Sequence, residues 1–176
     1  MIALAQVLIK YALLVPFGVL LALDGFGFTL LVVSTLCIAA AGNIINDIYD
    51  IETDLVNKPK KVIVGKIISE KQANNLFIIL NIIGVGLGFY ISNLVGKNAF
   101  FALFVIISAL LYIYASYLKQ ILLIGNIVIS ILVALSIIIV GLFELLPVIT
   151  LQNQGTQLAV FKIVLNYAVF AFLINL

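Results

Sequence analysis

Ile129-Ser-Ile-Leu-Val-Ala-Leu-Ser-Ile-Ile-Ile-Val140 is apolar on every face, two serines aside. A strand of a membrane barrel alternates apolar and polar residues over about ten positions, and this run does not alternate. A helix that is hydrophobic all round belongs in the core of a large protein or in a bilayer. The apolar character extends outward to Ile121–Leu145, longer than the roughly 20 residues a membrane-crossing helix needs. Five more stretches of that kind can be drawn: Ile2–Ala22, Phe26–Asn46, Asn74–Val95, Ala99–Tyr117 and Leu158–Leu176. The whole chain fits this pattern: 65% of its 176 residues are hydrophobic and 9% charged, whereas soluble domains are about one-quarter charged. The expectation is all-α: a polytopic transmembrane bundle of about six helices, forming one domain over residues 1–176.

The start does not read as a secretory signal, because Met1 enters the apolar run without a basic lead and no small-residue cleavage pattern follows. The single cysteine, Cys37, lies inside the second expected span. It reads as a small apolar filler, and one cysteine allows no disulfide framework. Histidine is absent, which excludes zinc sites built on His and triads that use His as base. A net charge of +2 gives no argument for nucleic acid.

The placement of the charges says more than their sum. Every basic residue is lysine, and Lys58, Lys60, Lys61, Lys66, Lys71 and Lys119 fall on one side of the expected bundle, against Lys97 in a loop on the other. The positive-inside bias puts the loop from Ile48 to Lys71 in the cytoplasm, and both chain ends with it. Lys10 stands midway along the first expected span. A lysine there costs about 2.5–3.5 kcal/mol on insertion scales, so it faces either the bundle interior or, by snorkelling, a membrane surface. Gly84, Gly86 and Gly88 in the third span read as close helix packing, since a dinucleotide fingerprint needs a preceding strand.

Four of the seven acidic residues sit within eight positions, in Asn43-Ile-Ile-Asn46-Asp47-Ile-Tyr-Asp50-Ile-Glu52-Thr-Asp54. If the helix continues, Asn43, Asp47, Asp50 and Asp54 are spaced i, i+4, i+7 and i+11 and share one stripe. Asn46 lies beside them and Glu52 points elsewhere. Two like charges about 6 Å apart repel by roughly 3 kcal/mol at an effective dielectric of 20. Three aligned carboxylates at a membrane edge therefore call for a counter-ion, protonation or open water. Hard oxygen ligands with amide support suit Mg²⁺, which keeps waters and bridges carboxylates to substrate phosphates. Lysines close by would meet phosphate oxygens. The plain alternative, a solvated loop of ordinary surface charge, does not account for the shared face, the paired asparagines or the position at a span end.

Asn46-Asp47-Ile-Tyr-Asp50-Ile-Glu-Thr-Asp54 resembles the N-D-x-x-D-x-x-x-D signature of the UbiA superfamily of intramembrane prenyltransferases. The likeness continues in order: Asn57-Lys-Pro59-Lys-Lys61 and Gly65-Lys-Ile-Ile-Ser69 are similar to the family's N-x-P-x-R-P and G-x-I-S. Tyr112-Ile-Tyr114-Ala-Ser-Tyr117-Leu-Lys119, with Gly125-Asn126 after it, resembles the Tyr/Lys stretch at the end of the fourth helix. The resemblance implies Mg²⁺-dependent transfer of an isoprenyl group from a prenyl diphosphate to a lipophilic acceptor, within a bacterial or archaeal cell membrane. The acceptor would be an aromatic or quinone precursor or a glycerol phosphate lipid, and the loop wording is nearest the last. It implies that Asn46, Asp47, Asp50 and Asp54 hold Mg²⁺ and the diphosphate, with Asp47, Asp50 and Asp54 as the catalytic carboxylates. Asn43 would extend that polar face, and Lys61, Tyr114 and Lys119 would complete the substrate contacts.

Three departures accompany the likeness. Lys61 replaces an arginine and lacks its planar fork. Ala115 stands four before Lys119 where the family has tyrosine, leaving Tyr114 as the nearest substitute. The family's second aspartate-rich motif is absent, so the chain reads as about six helices of a nine-helix fold, without the short basic lead usual before the first helix. Competing readings are a transporter or channel with an acidic cation site and a catalytically inactive diphosphate-binding remnant.

Overall fold

The computed structural model describes residues 1–60 and 62–176, and their regular structure is helical apart from one bridge between Val64 and Ile68. The main helices are α1 (Ile2–Leu8), α2 (Gly25–Tyr49), α3 (Ile51–Asn57), α4 (Glu70–Leu94), α5 (Phe101–Ser116), α6 (Ile124–Leu145) and α7 (Gln154–Asn175). Among the described residues five helical stretches are long and apolar enough to cross a membrane: Gly25–Tyr49, Glu70–Leu94, Asn98–Ser116, Ile124–Val148 and Gln154–Asn175. The chain is a multi-pass integral membrane protein.

The first expected span is the one that changes. From Ile2 the helix runs only to Leu14, its last six residues in π form, with the Val15 amide donating to the Lys10 carbonyl (2.9 Å). Pro16 offers no amide to continue it, and Gly18 turns the chain at φ +66°. Residues 19–24 lead to α2 in non-helical form, so Ile2–Ala22 is not a single helical span. Buried non-helical backbone needs partners for its polar groups, and here side chains supply them. Glu144 accepts from the Leu23 amide (3.1 Å), Lys10 donates to the Leu23 carbonyl (2.7 Å), and Gln157 donates to the Leu20 carbonyl (2.9 Å). Lys10 and Glu144 also pair with each other at 2.7 Å, both buried. Lys10 thus faces the bundle interior.

The other helix starts follow local chemistry. Asp24 caps α2 by accepting from the Gly27 amide at 2.7 Å, and Ser69 opens α4 through a reciprocal capping box with Gln72. Pro147 closes α6 in a short 3₁₀ turn.

The helices associate mainly as α2 with α4 and α6 with α7, while α5 packs on α2 and α4. Apolar burial drives little association inside lipid, so close backbone approach must. A Cβ on Gly84 would lie 3.1 Å from the Ser34 carbonyl, and one on Gly88 would lie 2.4 Å from the Phe104 ring. Ser34 adds a hydrogen bond across that contact, to the Gly84 carbonyl at 2.6 Å. Gly86 has no atom within reach; the packing role belongs to Gly84 and Gly88.

Candidate functional site

The acidic run sits where α2 gives way to α3. Asp50 departs from helical geometry (φ −101°, ψ 2°), so the helix bends there instead of running straight on. The bend does not break the ladder: the Asp50 amide still donates to the Asn46 carbonyl (3.0 Å) and the Asp54 amide to the Asp50 carbonyl (2.8 Å). The ladder thus runs on from α2 into α3, which together carry Asp47, Asp50 and Asp54.

Asn46, Asp50 and Lys119 form a closed triangle, although Lys119 is remote in sequence. The Lys119 ammonium donates to Asp50 Oδ1 at 2.7 Å and to Asn46 Oδ1 at 3.3 Å, while Asn46 Nδ2 donates to Asp50 Oδ2 at 2.8 Å. The ion pair is partly open to solvent, with side-chain exposures of 14% for Lys119 and 27% for Asp50. Solvent still reaches both partners, so the ammonium has open space on the side away from Asp50.

Lys119 is placed by the turn that carries it. It sits in a 3₁₀ turn, Leu118–Gln120, and the start of α6 presses on that turn at Gly125. A Cβ on Gly125 would lie 3.2 Å from the Lys119 Cα. Between them Leu123 takes φ 70° and ψ −41°, near the strained γ-turn geometry that a leucine rarely adopts. The short connection holds the lysine against α2.

The remaining expected residues are distributed as follows. Asp47 and Asn43 are exposed and Asp54 is half-buried; among the described residues no side chain donates to Asp47 or Asp54. Tyr114 is half-buried and makes no hydrogen bond to the acids among the described residues. Its neighbour Tyr112 instead shares a hydrogen bond with Tyr49 (3.2 Å) and lies against Phe77. Lys61 lies outside the described residues. In the same loop Lys66 donates to the Pro59 carbonyl at 2.6 Å, and Gly65 turns the chain at φ +86°.

The donor set suits a hard divalent cation: carboxylate oxygens on one stripe, an amide oxygen beside them, and two carboxylates with no donor engaging them. Among the described residues no three acidic, Cys or His side chains converge to cage a metal. An ion such as Mg²⁺ would be held here by one or two carboxylates and would need waters and substrate phosphates to complete its shell.

Below the acids lies a cavity of about 230 Å³ between α2, α5 and α6. Asn43, one turn from Asp47, stands at its upper end, Leu111 and Leu132 form its walls, and Thr35, Phe104 and Ser136 close the lower end. The arrangement has a polar, carboxylate-bearing head near an apolar chamber. Sequence reading singles out the head through its spacing. The chamber floor, Phe104 against Gly88, carries no such signal, because a phenylalanine in an apolar span looks like any other. Gln6 and Glu144, both fully buried, are legible as polar intrusions in apolar spans and stand apart from the acids.

The model of the UbiA prenyltransferase family matches residues 4–175. A protein named digeranylgeranylglyceryl phosphate synthase from Sulfolobus acidocaldarius is 42% identical over 112 residues, covering 63% of this chain and 38% of that protein. Its namesake from Methanothermobacter thermautotrophicus is 38% identical over 120 residues, 66% of this chain and 41% of the relative. The one from Saccharolobus solfataricus is 37% identical over 123 residues, 69% and 41% respectively. The chain thus spans about two-fifths of the length of the curated relatives it matches. No solved structure matches it. A family match over nearly every residue, acid motif included, makes this chain a member of the UbiA prenyltransferase family.

Proposed function

We propose that the protein binds a prenyl diphosphate and transfers its isoprenyl group, within the membrane, to a glycerol phosphate lipid. The observation that carries the reading is the adjacency of head and chamber: Asn43, one turn before Asp47, lines the cavity. Asn46, Asp47, Asp50, Asp54 and Lys119 lie at the end of α2, and the apolar cavity opens one helical turn below them. Such a site matches an amphiphile with a multiply charged head and a hydrocarbon tail. The glycerol phosphate acceptor is favoured over aromatic and quinone precursors because the relatives described above share a name for that product class.

Asn46, Asp47, Asp50 and Asp54 would hold Mg²⁺, directly or through water. The bound metal would supply electrostatic stabilisation of the charge that develops on the departing diphosphate. Lys119 neutralises Asp50 until the donor binds, then turns its ammonium to a phosphate oxygen, a point contact from a flexible stem. Asn43 orients the head at the chamber mouth. Leu111 and Leu132 exclude water from the allylic carbon, which would otherwise be lost to hydrolysis. Lys61, from the sequence motif alone, and Tyr114, on α5, are assigned supporting contacts to the diphosphate.

Transfer is tested with bilayer-reconstituted protein, Mg²⁺, labelled geranylgeranyl diphosphate and geranylgeranylglyceryl phosphate. Label should enter the lipid product, and Asp47→Ala or Asp50→Ala should lower the rate at least about 100-fold, the effect of losing a main electrostatic element. Transfer that survives both substitutions undiminished would contradict the assignment.

A further inference from the structure

We infer that Phe104, seated on Gly88, is the stop that sets how long a prenyl tail the chamber accepts; the inference rests on the prenyl diphosphate reading above. Along α2 the chamber runs from Asn43 to Thr35, about 12 Å at 1.5 Å per residue, and Asp50 lies about 22 Å from the same floor. Chamber depth, measured from the head, is thus a ruler along one helix.

The floor is rigid. Phe104 is 1% exposed and packs edge-to-face on Phe143, ring centroids 5.6 Å apart, and Phe143 in turn packs on Phe100 at 5.1 Å. The ring can sit back from the chamber only because residue 88 has no side chain: a Cβ there would come within 2.4 Å of it. A second device holds the walls at the same level. Gln6, fully buried, donates through one amide nitrogen to Thr35 Oγ1 (3.2 Å) and to the Ser136 carbonyl (3.0 Å). It ties α1, α2 and α6 where Thr35 and Ser136 meet the cavity. A tail one unit too long would have to part that tie or displace a stacked ring, whereas each unit that fits gains apolar burial.

Opposite changes at the two contacting residues should move the limit in opposite directions. Phe104→Ala opens space beneath the floor, and Gly88→Ala drives the ring up into the chamber. The test is competition against labelled geranylgeranyl diphosphate, with the chain in nanodiscs and Mg²⁺ present. The competitors are geranyl, farnesyl, geranylgeranyl and geranylfarnesyl diphosphates and inorganic diphosphate. Affinity should rise with tail length, by about tenfold or more per unit accommodated, and fall past the limit. The best-bound tail should be one isoprene unit longer in Phe104→Ala and one unit shorter in Gly88→Ala. Inorganic diphosphate should compete equally in all three proteins. If the ring deletion unfolds the chain, Phe104→Leu and Gly88→Ala still move the profile apart. The same length profile in every folded variant, with inorganic diphosphate still competing, overturns the stop and leaves the donor site standing. If no diphosphate competes in the unsubstituted chain, inorganic diphosphate included, both readings fall.

Discussion

Asp50 carries the most at the scale of single residues. It ends α2, accepts from both Asn46 and Lys119, and passes the helical ladder on to Asp54. Removing Lys119 leaves Asp50 and Asp47 repelling each other without relief. Lys119→Ala should weaken binding of a prenyl diphosphate about tenfold or more, the scale of a lost charge-assisted contact, read by equilibrium binding in nanodiscs. Lys119→Arg should keep most of it. Gly125→Val should act in the same direction without touching the ligand, because its side chain would press on the Lys119 backbone. The acids stood out in the sequence because spacing on a helix groups them, whereas Lys119 stood out only by its place at a span end and by the family resemblance. The function of Gly125 did not, since it depends on how a turn folds back on the next helix.

Among elements, the first helix departs most from what hydropathy suggests. Its apolar run is long enough to cross a bilayer, but Pro16 and the π-form segment end it at Leu14. Hydropathy counts side chains and cannot see where a backbone stops bonding to itself. The buried Lys10–Glu144 pair compensates, with Glu144 also taking the Leu23 amide. Lys10→Met should therefore destabilise the chain by about 3–5 kcal/mol, because it strands a buried charge. Lys10→Met with Glu144→Gln should recover much of the loss, since glutamine still offers an oxygen to Leu23. Thermal unfolding in detergent measures both, and a double variant no better than the single would contradict this account. Lys10 and Glu144 each stand out as polar intrusions in apolar runs, but that they pair across 134 positions could not be read from periodicity.

The whole molecule has an asymmetry that orients it. The acids, Lys119 and the lysine-bearing loop lie at the ends of α2, α4, α5 and α6 on one side, with Lys97 and the Lys10–Glu144 pair toward the other. The positive-inside bias assigns the acidic side to the cytoplasm. In a Cys37→Ala background, Lys66→Cys should react with a membrane-impermeant maleimide only when the cytoplasmic face is open, and Lys97→Cys only from the opposite face. The all-helical architecture was legible because apolar runs of this length have few other solutions. The chamber was not, since a cavity is a property of how α2, α5 and α6 meet, and no one of them shows it.

The measurement that bears most directly on the central claim is binding of labelled geranylgeranyl diphosphate to the bilayer-embedded chain, with Mg²⁺ and then with excess chelator. The account predicts saturable binding that chelation weakens at least about tenfold and that Asp47→Ala with Asp50→Ala abolishes, while Glu52→Ala, off the shared face, leaves it unchanged. Binding that ignores both the metal and the two aspartates would contradict it.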